Sequence, residues 1–553
     1  MSEPDEPSRR PADTVVLSGA ASAWGAVVAE ALAREGMTTV LVDPPGEGLD
    51  RVRDRVEEVG GSAVTVGSDL TDLSAVVALM DRLRPEHRTA LRLVHVLPPP
   101  IPGAFSERVP AEIVAEAHRG YSTLVVLARG LLPSMTEADD GRLLVLGSAA
   151  ARAPLRHAAV HSALAMALPP FLTALDREVA KQGVHVTYLE PAGFPSPPVA
   201  NEVAEGRTGL HEAHRRFMVS EAAVARTFLR AWRHPSLRRV RFHAHERSPP
   251  SSSVLQEYGE RALRSRDEPP SHSGGIPAFV PASALRGRTA VVTGASRGIG
   301  RRIALRLASH GMRVVLTARD APALEEVAGE VRKAGGEAKV LVQDLLLPGA
   351  VDRLREFALE TWEAPYLLVN NAGIGFFRRL ARQDARQLTV QLGVDLIAVL
   401  AVTRALLPSM LATGRGHVLN VGSMAAEVPL PRLAPYSGIK GAVKGFTLSL
   451  GREVAPTGLV ASVLEPVTVD TDFIATASEA GRRDLRESGL MRRVMIGPEE
   501  VGKIAERTVV RPKPVVVVPP RALALLWMYR GMRPLMDRAL RLPATRGSGK
   551  KEG

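Results

Sequence analysis

Short apolar runs alternate with longer stretches of helical periodicity along this chain. Asp13-Thr-Val-Val-Leu-Ser-Gly19 is β-rich and ends in glycine, and an Ala-rich helical pattern follows it to about Arg34. Thr38-Thr-Val-Leu-Val-Asp43 reads as a second strand and Ser62-Ala-Val-Thr-Val66 as a third. Ala90–Val96, Gly141–Leu146 and Val184–Leu189 continue the series. Strands that are apolar on both faces and separated by helices predict a parallel sheet covered on both sides.

The series then begins again. Thr289-Ala-Val-Val-Thr-Gly294 restates Thr14 to Gly19, an offset of 275 residues. At that offset Gly36-Met37 meets Gly311-Met312, and Asp69-Leu70 meets Asp344-Leu345. Leu131-Leu-Pro-Ser-Met135 meets Leu406-Leu-Pro-Ser-Met410, Gly147-Ser148 meets Gly422-Ser423, and Leu189-Glu-Pro191 meets Leu464-Glu-Pro466. One register held this long predicts a duplicated domain rather than a short-period repeat. The expected division is a disordered leader over 1–12, a first copy over 13–247, a linker over 248–285, a second copy over 286–520 and a tail over 521–553. The linker is drawn from Ser248-Pro-Pro-Ser-Ser-Ser253 and Asp267-Glu-Pro-Pro-Ser-His-Ser-Gly-Gly275, with a short helix predicted between them at Val254–Arg264.

Composition fits this picture. The chain has 553 residues, more than one core usually supports, and its 45% apolar content is enough for two. It contains no Cys, which excludes disulfides and thiolate metal sites and leads us to expect a reducing, cytoplasmic setting. The polar start has no secretory h-region, and no unbroken apolar run approaches the roughly eighteen residues of a spanning helix. The net charge is +12, but aromatic residues are only 4%, too few for a stacking nucleic-acid surface, so no nucleic acid is expected. Attraction to anionic lipid or to an acidic carrier protein stays open.

Candidate chemistry gathers in the second copy. Tyr436 and Lys440 are four apart, hence one turn apart on one face of a helix. A free phenol has a pKa of about 10, and a neighbouring ammonium is expected to lower it. Thr293-Gly-Ala-Ser-Arg-Gly-Ile-Gly300 follows a strand and opens a helix, the place where backbone N–H groups receive a pyrophosphate. With Asn370-Asn-Ala-Gly373 and with Ser423 thirteen residues before Tyr436, these motifs resemble the short-chain dehydrogenase/reductase family over roughly 286–520. The resemblance implies two tandem Rossmann-type, doubly wound parallel-sheet domains of the α/β class.

It also implies roles. Tyr436 would give or take the proton on the substrate oxygen, Ser423 would hydrogen-bond that oxygen, and Lys440 would bind the nicotinamide ribose and keep Tyr436 acidic. A nicotinamide dinucleotide would be held by Gly294, Ser296, Arg297, Gly298, Ile299 and Gly300, then by Asp344, Leu345, Asn371, Ala372 and Gly373. Tyr436, Lys440, Pro466 and Thr471 would complete its site. Arg297 and Arg319, with no carboxylate before Asp320, favour NADP(H) over NAD(H). Two departures stand out: Asp395 occupies the place of a relay Asn, and Val467 follows Pro466 where the family has Gly.

The first copy lacks this set. His161 stands for Tyr436, Ala165 for Lys440, His95-Val-Leu-Pro98 for Asn370–Gly373, and Ala23-Trp24 for Gly298-Ile299. It reads as catalytically silent, although Asp43 ends its strand where an NAD-type acid would sit. Its expected use is to supply, within one chain, the helix-pairing surface through which the family's subunits associate. That would make a pseudo-dimer, with a homo-oligomer as the alternative. In the tail, Leu525, Met528, Met532, Leu535, Met536 and Ala539 share one helical face opposite Arg530, Arg533, Asp537, Arg538 and Arg541, with Pro534 expected to split the helix. That face would pack on the protein's own core or on a partner subunit, or else lie on a membrane surface over 521–542.

Between Thr471 and Met495 a segment with Phe473, Ile474, Leu490 and Met491 among arginines would cover a small hydrophobic carbonyl substrate or a carrier-bound acyl chain. The leading expectation is an NADPH-dependent ketone or aldehyde reductase in the cytoplasm or associated with a membrane. The rival is a non-catalytic nucleotide-binding or scaffold protein.

Overall fold

The computed structural model describes residues 14–540 except 70–72, 84, 89, 192–193, 196–217, 243–279 and 471–494. Seven strands form the first parallel sheet: β1 Thr14–Ser18, β2 Thr38–Asp43, β3 Ser62–Gly67, β4 Arg92–Val96, β5 Gly141–Leu146, β6 Val184–Pro191 and β7 Arg239–Phe242. Seven more form the second: β8 Thr289–Thr293, β9 Arg313–Ala318, β10 Glu337–Val342, β11 Leu367–Asn370, β12 Gly416–Val421, β13 Leu459–Pro466 and β14 Val515–Val518. The orders are β3-β2-β1-β4-β5-β6-β7 and β10-β9-β8-β11-β12-β13-β14, and every pairing is parallel. These are two tandem α/β Rossmann-type sheets, each reversing its strand order between its first and fourth strands while the strands stay parallel.

The first six strands of each sheet start at the offset of 275 read from the sequence, and only the last starts one residue later. The central strands are buried along their length in both copies except at Arg92, which opens β4 half-buried, as fits their mainly apolar runs. The helices that matter below are α1 Ala23–Arg34, α2 Ala159–Val179, α3 Gly298–Ala308, α4 Ala434–Val454, α5 Ala522–Gly531 and α6 Arg533–Ala539.

The two copies share one core. α2 and α4 lie against each other, and the backbone of α4 approaches α2 closely because glycines face it. A Cβ added at Gly441 would stand 2.5 Å from the Met166 carbonyl oxygen, and one at Gly445 2.5 Å from that of Ser162. At Gly438 it would collide with the Tyr121 hydroxyl. Around this seam the Phe105 and Phe446 rings meet edge-on with centroids 4.9 Å apart, and the Tyr121 hydroxyl donates to the Pro435 carbonyl at 3.0 Å. A continuous apolar cluster therefore runs from Val16 in the first copy to Val463 in the second.

Three expectations change here. The second copy's structure begins earlier than 286: the Val280 N–H donates to Val510 at 2.8 Å, and Ala282–Leu285 forms a 3-10 turn. Two helical stretches, Ala159–Val179 and Ala385–Ala412, are long and apolar enough to cross a membrane, although no such span was expected. Within each, 78% and 67% of the most apolar eighteen-residue window is buried inside the protein, which accounts for the apolar character as core. In the tail the helix breaks at Met532, two residues before Pro534, and of its predicted apolar face only Met536 is seen to pack on the core. Ala522, Leu526 and Tyr529 make the rest of that contact, while Leu525, Met528, Met532 and Leu535 stay exposed. The leader, most of the linker, the Val254–Arg264 helix, Thr471 and the covering segment over 471–494 lie outside the described residues.

Candidate active site

The C-terminal ends of β8, β11, β12 and β13 carry the second copy's motifs to one edge of its sheet, beside the strand reversal. Gly294 and Gly298 adopt φ of +64° and +56°, values a side chain disfavours. A Cβ at Gly294 would lie 2.8 Å from the Ala372 Cα, and one at Gly300 2.5 Å from the Asn371 amide nitrogen. The loop is thus pressed onto the Asn371-Ala372 strand end, and Asn371 fastens it there by donating to the Thr293 and Gly294 carbonyls, each at 3.0 Å. Asn370 instead reaches into the core, to Thr403 and Asn420. Arg297 at the start of α3 makes no capping hydrogen bond, so the helix N-terminus keeps its donors for an anion.

Four side chains converge beyond this loop. Ser423 follows β12, accepts from the Ala425 N–H at 3.1 Å and hydrogen-bonds Tyr436. Lys440, one turn along α4 from Tyr436, has its Nζ 5.4 Å from the Tyr436 ring centroid and donates to the Val421 carbonyl at 3.3 Å. Asp395 enters from a π-helical turn, Gly393–Ile397, which widens the helix and turns the side chain inward. Its Oδ1 accepts from the Ile374 N–H at 2.8 Å, while its buried Oδ2 has no hydrogen-bond partner among the described residues. Gly373 closes the group: a Cβ there would stand 2.6 Å from Asp395 Oδ1 and 3.7 Å from Lys440 Nζ.

The electrostatics correct one expectation. Tyr436 is held above the ordinary phenol range rather than below it, first by burial and then by the Asp395 charge, against the pull of the Ser423 hydrogen bond. Burial also pushes Asp395 up to about 6, with Lys440 and the Ile374 N–H opposing. The Lys440 cation is therefore shared with a carboxylate that the helical spacing alone did not reveal.

Arg319 is exposed at the end of β9, with Nη1 3.8 Å from Asp344. Asp320, beside it, caps the following helix by accepting from the Ala323 N–H at 3.1 Å and is committed to that role. Asp344 also accepts from the Leu346 N–H at 3.0 Å, which fixes the turn carrying Leu345. Pro466 ends β13, and Val467 donates to Val518 at 2.9 Å.

The first copy's corresponding loop is closed by its own side chains. Ser22 accepts from the Gly25 N–H at 3.0 Å and donates to Gly19 at 2.7 Å, and Asp43 accepts from the Ala21 N–H at 2.8 Å. Trp24 is buried at the start of α1. His161 hydrogen-bonds Ser148 at 2.9 Å, repeating the Ser423–Tyr436 pair. Burial pushes that imidazole down to about 4, so it is neutral near pH 7.

Residues 13–207 and 288–481 each match the family profile described as short chain dehydrogenase. The chain belongs to the short-chain dehydrogenase family. It is an NAD(P)-dependent oxidoreductase of that family, built as a tandem duplication. It is similar to the 3-oxoacyl-[acyl-carrier-protein] reductase of Synechocystis sp., 35% identical over 192 residues, 34% of this chain and 78% of that protein. The 3-oxoacyl-[acyl-carrier-protein] reductase FabG of Pseudomonas aeruginosa is 32% identical over 201 residues, 36% of this chain and 81% of its own length. The probable oxidoreductase EphD of Mycobacterium tuberculosis is 32% identical over 263 residues, 46% of this chain, and the match spans only 44% of that protein. A solved metagenomic short-chain oxidoreductase in complex with NADP is 31% identical, with 42% of this chain and 96% of that one covered at a TM-score of 0.36.

Two residues that the sequence did not single out also shape this candidate site, and both come from the first copy. Arg177, fully buried at the end of α2, donates to the Pro429 carbonyl and, at 2.6 Å, to the Tyr529 hydroxyl. Glu178 accepts from the N–H groups of Leu380 at 2.6 Å and Arg432 at 3.1 Å, and burial raises its carboxyl to about 7. Pro429 and Arg432 lie between Ser423 and Tyr436 in the chain. The first copy thus holds the loop that joins two members of the candidate site.

Proposed function

We propose that the second copy reduces a ketone or aldehyde of hydrophobic or 3-oxoacyl type, with NADPH preferred over NADH. The convergence of Ser423, Tyr436, Lys440 and Asp395 at Gly373 carries this reading, since the first copy has no equivalent set. The open α3 N-terminus and the glycine approaches fit a dinucleotide pyrophosphate, and exposed Arg297 and Arg319 fit a 2′-phosphate. When bound, that cofactor supplies the hydride. Ser423 and Tyr436 grip the substrate oxygen, and Tyr436 gives it a proton as it gains charge. A phenol held above its ordinary range stays protonated, which suits donation and hence reduction. Asp395 Oδ2, without a hydrogen-bond partner among the described residues, supports a role in accepting from a water that returns the proton.

The resemblance to two 3-oxoacyl-[acyl-carrier-protein] reductases supports an acyl-type carbonyl, and the basic charge suits an acidic carrier. The shared core supports an internal pseudo-dimer in which the first copy is structural. A panel of 3-oxoacyl, steroid and aliphatic carbonyls, followed by NADPH oxidation, tests this reading with Tyr436→Phe as control. Turnover of one class that falls about a hundredfold or more in the variant is expected. Tight NADPH binding with no turnover on any carbonyl would return the chain to a binding or scaffold role.

A further inference from the structure

Eleven large apolar side chains are exposed among the described residues, and six of them lie within a short stretch of the tail: Leu523, Leu525, Trp527, Met528, Met532 and Leu535. Trp527 is 72% exposed and Leu535 65%. This is a concentration that scattered surface residues do not produce. The helix that bears it is firmly seated. Ala522, Leu526 and Tyr529 pack with Met424 and Val517, the Tyr529 hydroxyl accepts from Arg177, and Arg530 donates to Glu427 at 2.7 Å. Arg521 is tied to Glu500 at 3.0 Å. The apolar residues therefore face outward on an anchored helix, not on one that has failed to dock.

The charge around this face points to its occupant. Residues 521–553 hold eight Lys and Arg against two Asp and Glu, so about half of the chain's net +12 falls in this segment. We propose that α5 and α6 dock on an anionic lipid bilayer, with Trp527 and Leu535 entering the interface and exposed Arg533 and Arg538 meeting the headgroups. Trp, with an apolar body and one N–H, is suited to that depth. A second copy of this chain is a poorer occupant. Symmetric pairing would set Arg533 and Arg538 near their own counterparts, where like charges repel.

The docked face sits beside the chemistry. The cluster beneath α5 includes Met424, next to Ser423, and is flanked by Val467, next to Pro466. If the reductase reading holds, a bilayer-dissolved substrate would meet the protein beside its active site; docking itself does not depend on that reading.

Flotation of the full chain with vesicles tests docking without using activity. The vesicles would be phosphatidylcholine alone or phosphatidylcholine with about a third phosphatidylglycerol. We expect binding to the anionic vesicles only. It should weaken in about 0.5 M NaCl and fall about tenfold or more in Trp527→Ser/Met528→Ser/Leu535→Ser. Circular dichroism and the NADPH dissociation constant would show that the variant is folded. Failure of wild type to float with anionic vesicles overturns the proposal. So does a concentration-dependent dimer, seen by sedimentation without lipid and lost in the triple variant, because a second copy would then cover the face.

Discussion

The glycine seam between α2 and α4 makes a prediction whose sign separates packing from intrinsic helix preference. Gly→Ala within an exposed helix stabilises by about 1 kcal/mol, because Ala loses less backbone entropy. Gly329, inside the helix Ala321–Lys333, offers that case, since an added Cβ there meets nothing within 4 Å. Gly445 offers the opposite. Its added Cβ would lie 2.5 Å from the Ser162 carbonyl oxygen, 2.8 Å from the Met166 Cβ and 3.1 Å from the Ala163 Cα. Two of those three atoms are backbone, so relief requires the helices to part. Overpacking of this kind costs about 1–3 kcal/mol. Gly329→Ala should therefore raise the urea midpoint of the whole chain, and Gly445→Ala should fall below it by the equivalent of about 1–3 kcal/mol. The comparison uses midpoints because two copies with a shared core need not unfold in one step. Because α4 carries Tyr436 and Lys440, Gly445→Ala should also lower NADPH oxidation while Gly329→Ala leaves it unchanged. Equal stabilisation by both substitutions would falsify the close-packed seam.

Two further predictions concern the site. Asp395→Asn removes a buried charge whose carboxyl is raised from 3.8 to about 6. An acid raised in the folded state gives stability that is complete below its unfolded value and is lost as pH rises through the folded one. The wild type should lose up to about 3 kcal/mol on this account between roughly pH 4 and 6. Asp395→Asn should escape the loss, so the gap in urea midpoint widens from pH 5 to pH 7 and then levels; a gap independent of pH would refute the assignment. The same change removes the charge that lifts Tyr436, so the alkaline limb of the reduction profile should move to lower pH. Arg319→Ala removes a charge-assisted contact of about 1.5–3 kcal/mol, so KM for NADPH should rise roughly tenfold to a hundredfold while that for NADH changes little. Equal effects on both cofactors would remove Arg319 from 2′-phosphate recognition.

The duplication was legible because it rests on burial. Strands enclosed on both faces read as unbroken apolar runs such as Val15-Val16-Leu17 and Ala290-Val291-Val292, and the same spacing recurs through each copy. The Gly-rich loop and the Tyr436–Lys440 spacing were legible because their geometry is local. What lay hidden depends on contacts between distant parts of the chain. Arg177 and Glu178 look in sequence like the solvated end of a helix, yet both are buried by Pro429, Leu380 and Arg432, more than 200 positions away. Gly438, Gly441 and Gly445 are visible as small residues in α4, but nothing in α4 says that Tyr121, Met166 and Ser162 lie opposite. The sign of the Tyr436 shift was missed for the same reason: helical spacing supplies Lys440 but not the buried Asp395 carboxylate from another element. These contacts also supply a physical account of why a copy without Tyr, Lys or an open nucleotide loop remains in the chain. Its α2 fills the seam that α4 leaves open, its Glu178 satisfies two backbone donors beside the candidate site, and its Arg177 ties the Ser423–Tyr436 loop to the tail helix at Tyr529. Removing the first copy would expose the glycine face of α4 and leave those donors and Tyr529 without their partners, so the first copy is part of the second one's structure.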